Sequence, residues 1–246
     1  MIKEILQGSN NLAKSLYHDI REFLSPSSCL GCRGDNCPES SFFCGDCLGS
    51  LRNMPGEGPL CPFCRRPAGV SGRCLFCASS DSPRMCFWGR YDGLLKDAIL
   101  LFKFKGINEL GRELSEMAAG QLESRLRLMN IDEIVPIPLY RARQRERGFN
   151  QSEIIAAALA ERLGVECRGD LLVRIRHTAQ QAKLEEKRRW ENVKGAFALA
   201  ANVDLSGKRI LLVDDIVTTG ATIHEASLPL RDCGASVAVF SLAYAV

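Results

Sequence analysis

Asp214 and Asp215 stand side by side, and within the next seven residues come Thr218, Thr219, Gly220, Ala221 and Thr222. Three hydroxyls, a glycine that lets the chain approach closely and backbone N–H groups at the start of a helix make a cradle for a phosphate monoester. The carboxylates cannot serve that phosphate, because like charges repel. Vicinal hydroxyls of a ribose donate hydrogen bonds to carboxylates, and Mg2+ neutralises the charge that remains. Acids followed by a phosphate cradle therefore describe a pocket for a ribose 5-phosphate. The plainer alternative is a strand end with two solvated aspartates before an ordinary capped helix. The strand–turn–helix context decides for the pocket.

That context is legible on both sides. The continuous aliphatic run Ile210 to Val213 predicts a strand buried on both faces, as in a parallel sheet covered by helices. It is expected to stop at Val213, which sets the acids at the strand's carboxyl end, the edge where open α/β sheets bind ligands. Ile223, Ala226, Leu230 and Cys233 then mark one face of a helix, and Ala235 to Leu242 a last strand.

A second set of chemistry-bearing residues lies near the N-terminus. Cys29 and Cys32, Cys44 and Cys47, Cys61 and Cys64, and Cys74 and Cys77 are four pairs of the C-x-x-C type. A two-residue gap turns both thiolates of a pair toward one tetrahedral ion, and two pairs close a shell. Eight such cysteines make two structural Zn2+ sites. Pairs one and two with pairs three and four is one assignment, an interleaved arrangement is another, and an iron–sulfur cluster is the chemical competitor. Cys86, Cys167 and Cys233 fall outside the pattern and read as small buried hydrophobes, as does Cys37 unless it substitutes in a shell.

Length and composition bound the rest. A chain of 246 residues, 46% of them hydrophobic, holds one large or two modest domains with a sizeable core. A net charge of +3 does not by itself announce a nucleic-acid binder, so clusters matter more than the total. No run is apolar enough to span a bilayer, and Lys3, Glu4, Lys14 and Asp19 interrupt what would be a signal peptide. Twelve cysteines without an export signal point to a reducing compartment, the cytoplasm.

Further elements follow from periodicity. Ile2, Ile5, Leu6, Leu12, Leu16, Ile20 and Phe23 predict an amphipathic helix over 1–24. Cys86 to Tyr91 predicts a strand; Leu94, Leu95, Ala98, Ile99 and Phe102 a helix stopped by Gly106; Leu110 to Leu122 another. Ile134 to Pro138 is a short strand whose prolines mark its exit into a loop. Arg141, Arg143, Arg145 and Arg147 crowd that loop. They suit a pyrophosphate clamp, contact with a nucleic-acid backbone, or plain solvation. Ile154 to Leu163 predicts a helix and Leu171 to Val173 a strand. The basic stretch from Arg174 to Asn192, with Lys187, Arg188 and Arg189, reads as a functional loop.

The run Val213 to Thr222 resembles the phosphoribosyl pyrophosphate (PRPP) motif of type I phosphoribosyltransferases. With Val135-Pro136-Ile137-Pro138, Arg147-Gly148-Phe149-Asn150-Gln151, Thr178 to Gln181 and Arg189 to Phe197, the order of motifs is similar to that of the ComF family of competence-associated proteins. The resemblance implies an α/β type I phosphoribosyltransferase-like parallel sheet flanked by helices over 83–246, preceded by a double zinc ribbon over 25–82. It implies Asp214 and Asp215 on the ribose hydroxyls, and Thr218 to Thr222 around the 5-phosphate. Ile137, Pro138, Arg145 and Arg147 would face pyrophosphate, and Mg2+ would accompany PRPP. It also implies work in natural transformation, with single-stranded DNA on Arg141, Arg143, Lys187, Arg188 and Arg189, and competence helicase machinery as a partner. Thr218 replaces the acid of purine-salvage members, so the acceptor is undetermined and catalysis is an open alternative to binding. The ribbons suit DNA contact and protein docking alike.

Overall fold

The computed structural model describes residues 28–35, 37, 38, 41–52, 84–178 and 186–245. The helix expected over 1–24, the pairs Cys61, Cys64 and Cys74, Cys77, and the side chains of Lys187 and Arg188 lie outside the described residues. Two compact units divide between residues 53 and 54.

The first unit is small. Two cysteine-bearing turns are tied where Leu30 N–H donates to the Phe42 carbonyl at 2.9 Å, and helix α1 (Gly45–Arg52) follows. Phe43 and Leu51 are buried there. Each contributes about 1.5–3 kcal/mol by burial, whereas ordering costs about 1–2 kcal/mol for every residue of 28–52. Apolar packing alone falls short by a wide margin.

The second unit is a five-stranded sheet with helices. In chain order it comprises β1 (Arg84–Arg90), α2 (Gly93–Lys105), α3 (Asn108–Arg127), β2 (Glu133–Pro136), α4 (Arg141–Arg147), α5 (Gln151–Leu163) and β3 (Glu166–Cys167). Then come β4 (Leu172–Arg174), α6 (Glu186–Val193), β5 (Phe197–Leu199), β6 (Arg209–Val217), α7 (Ala221–Asp232) and β7 (Ser236–Tyr244). The sheet runs β1-β7-β6-β2-β3 with each neighbouring pair parallel. Two parallel neighbours on each side bury Ile210 to Val213 completely, the expected consequence of an uninterrupted aliphatic run. Strands β4 and β5 do not join this sheet; they pair antiparallel with each other.

Chain order within the sheet places the site. After β2 the chain moves outward to β3, while after β6 it moves the other way to β7. The crevice beyond the carboxyl ends of β2 and β6 is thus a topological switch point, the usual ligand position in such sheets. Glycines in the left-handed region end α2 and α5 at Gly106 (φ 67°) and Gly164 (φ 71°).

Three sequence expectations change. Strand β6 runs on to Val217, so the two acids lie within the strand, because β7 continues beside it and supplies hydrogen bonds as far as Tyr244. The arginine stretch is a short helix, α4, rather than a loop. Ala142 is its one apolar residue and nothing in it is buried, so it carried no periodicity to read. Of the cysteines outside the pairs, Cys86 is buried, Cys167 on the edge strand is exposed, and Cys37 and Cys233 are half-buried.

Helices α2 and α3 meet at Gly111, where an added Cβ would stand 2.2 Å from a ring carbon of Phe102. That ring is fully buried. Gly111→Ala is therefore expected to lower stability by about 1–2 kcal/mol in denaturant titration, overpacking outweighing the better helix propensity of alanine. A gain in stability would show that the ring relaxes.

Candidate functional site

A cavity of about 260 Å³ opens at the switch point, near the small end of ligand pockets, roughly 300–1,000 Å³. Asp214, Asp215, Ile216, Thr218 and Thr222 line it from β6 and the turn beyond, and Ile137 and Leu139 from the exit of β2. Thr219 is buried, and its Oγ1 accepts the Ala221 N–H at 3.4 Å. Gly220 takes φ 78°, a left-handed turn that starts α7. Pro138, Thr219, Gly220 and Ala221, expected on the ligand, are not among the residues that line the cavity.

Successive strand residues point apart, and the two acids accordingly have different partners. Asp215 Oδ2 lies 2.6 Å from Lys103 Nζ of α2. Asp214 Oδ1 accepts the Ser152 hydroxyl at 3.1 Å and the Asp215 N–H at 2.9 Å. Burial, and then the charge of Asp215, push the Asp214 carboxyl up to about 7, against the pull of Lys103. The sign is clear: between an unfolded value near 4 and about 7, the folded state holds a proton that the unfolded chain has lost, so stability falls as pH rises through that window. Asp214→Asn removes this burden. Its stability advantage over the parent is expected to grow from pH 5 to pH 8 in paired melting curves, and a pH-independent difference would contradict the assignment.

Arg147 to Ser152 is one structural device. Arg147 reaches the cavity and donates to Gln151 Oε1 at 2.9 Å, while Gln151 Nε2 donates to the Lys103 carbonyl at 3.4 Å. Gly148 turns left-handed at φ 78°, and Phe149 packs on Phe102 with centroids 5.8 Å apart. Asn150 caps α5 by accepting the Ser152 N–H at 3.1 Å and donates to the Ile137 carbonyl at 3.1 Å. The segment so fastens the exit of β2, the end of α2 and the acids of β6 to one another.

The helical period of α4 sorts its arginines. Arg143 and Arg147, four apart, line the cavity, whereas Arg141 and Arg145 are exposed on other faces. Arg145 is thus away from the cavity where a phosphate contact was expected, and Arg143, expected on nucleic acid, is in it. Arg189 lines it as well. Sequence reasoning missed Lys103, Ser152 and Tyr91, and had Arg174 only as the start of the basic stretch. Arg174 lies over the Phe197 ring at 5.2 Å, donates to Thr178 Oγ1, and keeps a buried Nε that has no hydrogen-bond partner among the described residues. Five cations thus surround two acids.

In the first unit, the sulfurs of Cys29, Cys32, Cys44 and Cys47 all lie within 4.8 Å of one another. Cys32 and Cys44 are 3.7 Å apart, matching the edge of about 3.8 Å of a tetrahedron with Zn–S near 2.3 Å. Cys29 Sγ accepts the N–H groups of Gly31 and Cys44 at 3.3 and 3.2 Å. Burial raises its pKa, but those donors outweigh it and hold the thiol at about 6. Pairs one and two therefore come together, and among the described residues these four cysteines are placed to hold one metal ion.

Residues 150–245 match the phosphoribosyl transferase domain. Competence protein F of Haemophilus influenzae is 31% identical over 222 residues, covering 88% of this chain and 96% of that protein. DNA utilization protein YhgH of Escherichia coli K12 is 33% identical over 227 residues, with the same coverage of 88% and 96%. Competence protein ComFC of Bacillus subtilis is 29% identical over 214 residues, covering 81% and 82%. Identity above 30% along nearly the full length of the first two relatives makes this chain a member of the ComF family.

Proposed function

We propose that this protein binds PRPP at the crevice between β2 and β6 and serves DNA uptake on the cytoplasmic side of the membrane. The observation that carries the reading is that the paired acids and the threonine turn share one cavity with Lys103, Arg143, Arg147, Arg174 and Arg189. Asp214 and Asp215 take the ribose hydroxyls, Thr218 to Thr222 the 5-phosphate, and the guanidinium groups the diphosphate. Pairing with Lys103 lowers the charge that Asp215 offers, and the surrounding cations disfavour a lone divalent ion. Asp214 Oδ2 accepts no hydrogen bond among the described residues and suits the hydration shell of Mg2+ arriving on the diphosphate. There the ion would withdraw charge from the leaving oxygens. Zinc is the ion proposed for the cysteine shell, with a second at the later pairs.

Transfer to an acceptor is the enzymatic extension. The bond from C1 of the ribose to diphosphate breaks with its electron pair leaving on the diphosphate, an acceptor nitrogen forms the new C1–N bond, and that nitrogen then releases its proton to solvent. The relatives named for competence and DNA utilization support the DNA role. Exposed Arg141 and Arg145 are contacts proposed for a single strand, as are Lys187 and Arg188. No helix among the described residues is long and apolar enough to cross a membrane.

Two double variants test the division. Arg143→Ala/Arg147→Ala is expected to weaken PRPP binding in calorimetry by at least about tenfold, two charged contacts being lost. Arg141→Ala/Arg145→Ala should leave it within about twofold, and should flatten the salt dependence of single-strand binding by about 1.4 in log–log slope. Equal losses of PRPP affinity from both pairs would remove the cavity from the account.

A further inference from the structure

Phe104 stands out on α2. Leu95, Ala98, Ile99 and Phe102 form the buried stripe of this helix, and Phe104, rotated about 200° from Phe102, lies off it. It is 64% exposed, yet it borders the cavity. Leu100, one turn earlier, borders the same cavity, as do Leu139 and Tyr91, so one part of the wall is apolar where the rest is cationic. The Arg147 guanidinium lies over the Phe104 ring at 5.6 Å, and most of the ring is open to solvent even so.

Single exposed aromatics are ordinary on protein surfaces. This one differs in being held beside a planar cation, at the rim of a cavity whose other groups suit a pentose phosphate. An aromatic ring flanked by arginine is the arrangement on which nucleic-acid bases stack. We infer that Phe104, with Arg147 and the apolar wall of Leu100 and Leu139, is a shelf for one purine or pyrimidine base entering beside the pentose site. The inference rests on the reading of the cavity given above. Two sources supply that chemistry: a free base, as the nitrogen acceptor, or a base carried by a single strand.

The test uses the full-length protein. Phe104→Trp places a fluorophore on the shelf, and its signal is taken as the difference from the parent, which retains Trp88 and Trp190. Adenine, uracil, short oligonucleotides and abasic oligonucleotides of the same length are titrated with and without PRPP, whose own binding is followed by calorimetry. Base-bearing ligands are expected to quench the new tryptophan. Phe104→Ala is expected to weaken base-bearing strands about tenfold while abasic strands change less than about twofold, a contrast that loss of folding would not produce. Quenching by free bases identifies a small acceptor; quenching by strands alone identifies nucleic acid. The shelf is overturned if no base-bearing ligand quenches and Phe104→Ala treats base-bearing and abasic strands alike. Should PRPP still bind in that case, the pentose site survives without the shelf. Quenching with no PRPP binding at all would leave the shelf standing and remove the pentose site.

Discussion

Replacing both Asp214 and Asp215 with asparagine is expected to abolish saturable PRPP binding, with a loss of at least about 100-fold in calorimetry. Each carboxylate exchanged for an amide forfeits a charged hydrogen bond to a ribose hydroxyl, about 1.5–3 kcal/mol apiece. The single variants should agree in binding and disagree in stability. Asp214→Asn relieves an acid that burial and its neighbour already hold near neutrality. Asp215→Asn instead strips Lys103 of the partner that Asp215, 7% exposed, now gives it at 2.6 Å, and leaving a largely enclosed charge unpaired is destabilising. Adding Lys103→Met to Asp215→Asn should recover melting temperature without recovering PRPP binding. If the triple variant Asp214→Asn/Asp215→Asn/Lys103→Met melted like the parent and still bound PRPP, the acids would have no part in the site.

Removing the metal from the first unit is the other large effect expected. Phe43 and Leu51 are a thin apolar core for this unit, and a bound structural zinc is expected to add on the order of 10 kcal/mol to its folding. Chelation should bring amide exchange of 28–52 to the rate of an unfolded chain while β2 and β6 stay protected. Cys44→Ala should lower the zinc content by about one equivalent, as expected when one of four ligands is lost. Unchanged metal content, or an unchanged exchange pattern after chelation, would show that the unit folds without it.

The half of the candidate site that β6 and α7 supply was legible in the sequence because its residues are local. Acids, threonines and a left-handed Gly220 within ten residues carry both the fold signal and the site. The aliphatic run before them and the periodic face after them named their own elements, and the C-x-x-C spacing grouped the sulfurs in twos. What lay beyond reach was anything set by contacts distant in sequence. Ser152 meets Asp214 across 62 positions, and Lys103 meets Asp215 across a still longer span. Neither residue type is diagnostic on its own helix. The arginines of α4 were visible as a cluster, but only a helical turn decides that Arg143 and Arg147 share one side, and a helix whose one apolar residue is Ala142 leaves no period to find. Sequence by itself determined which chemistry-bearing residues stand together along the chain. Tertiary structure alone decided which charges meet, because side-chain pairing is settled where α2, α4 and α5 converge on the carboxyl edge of the sheet.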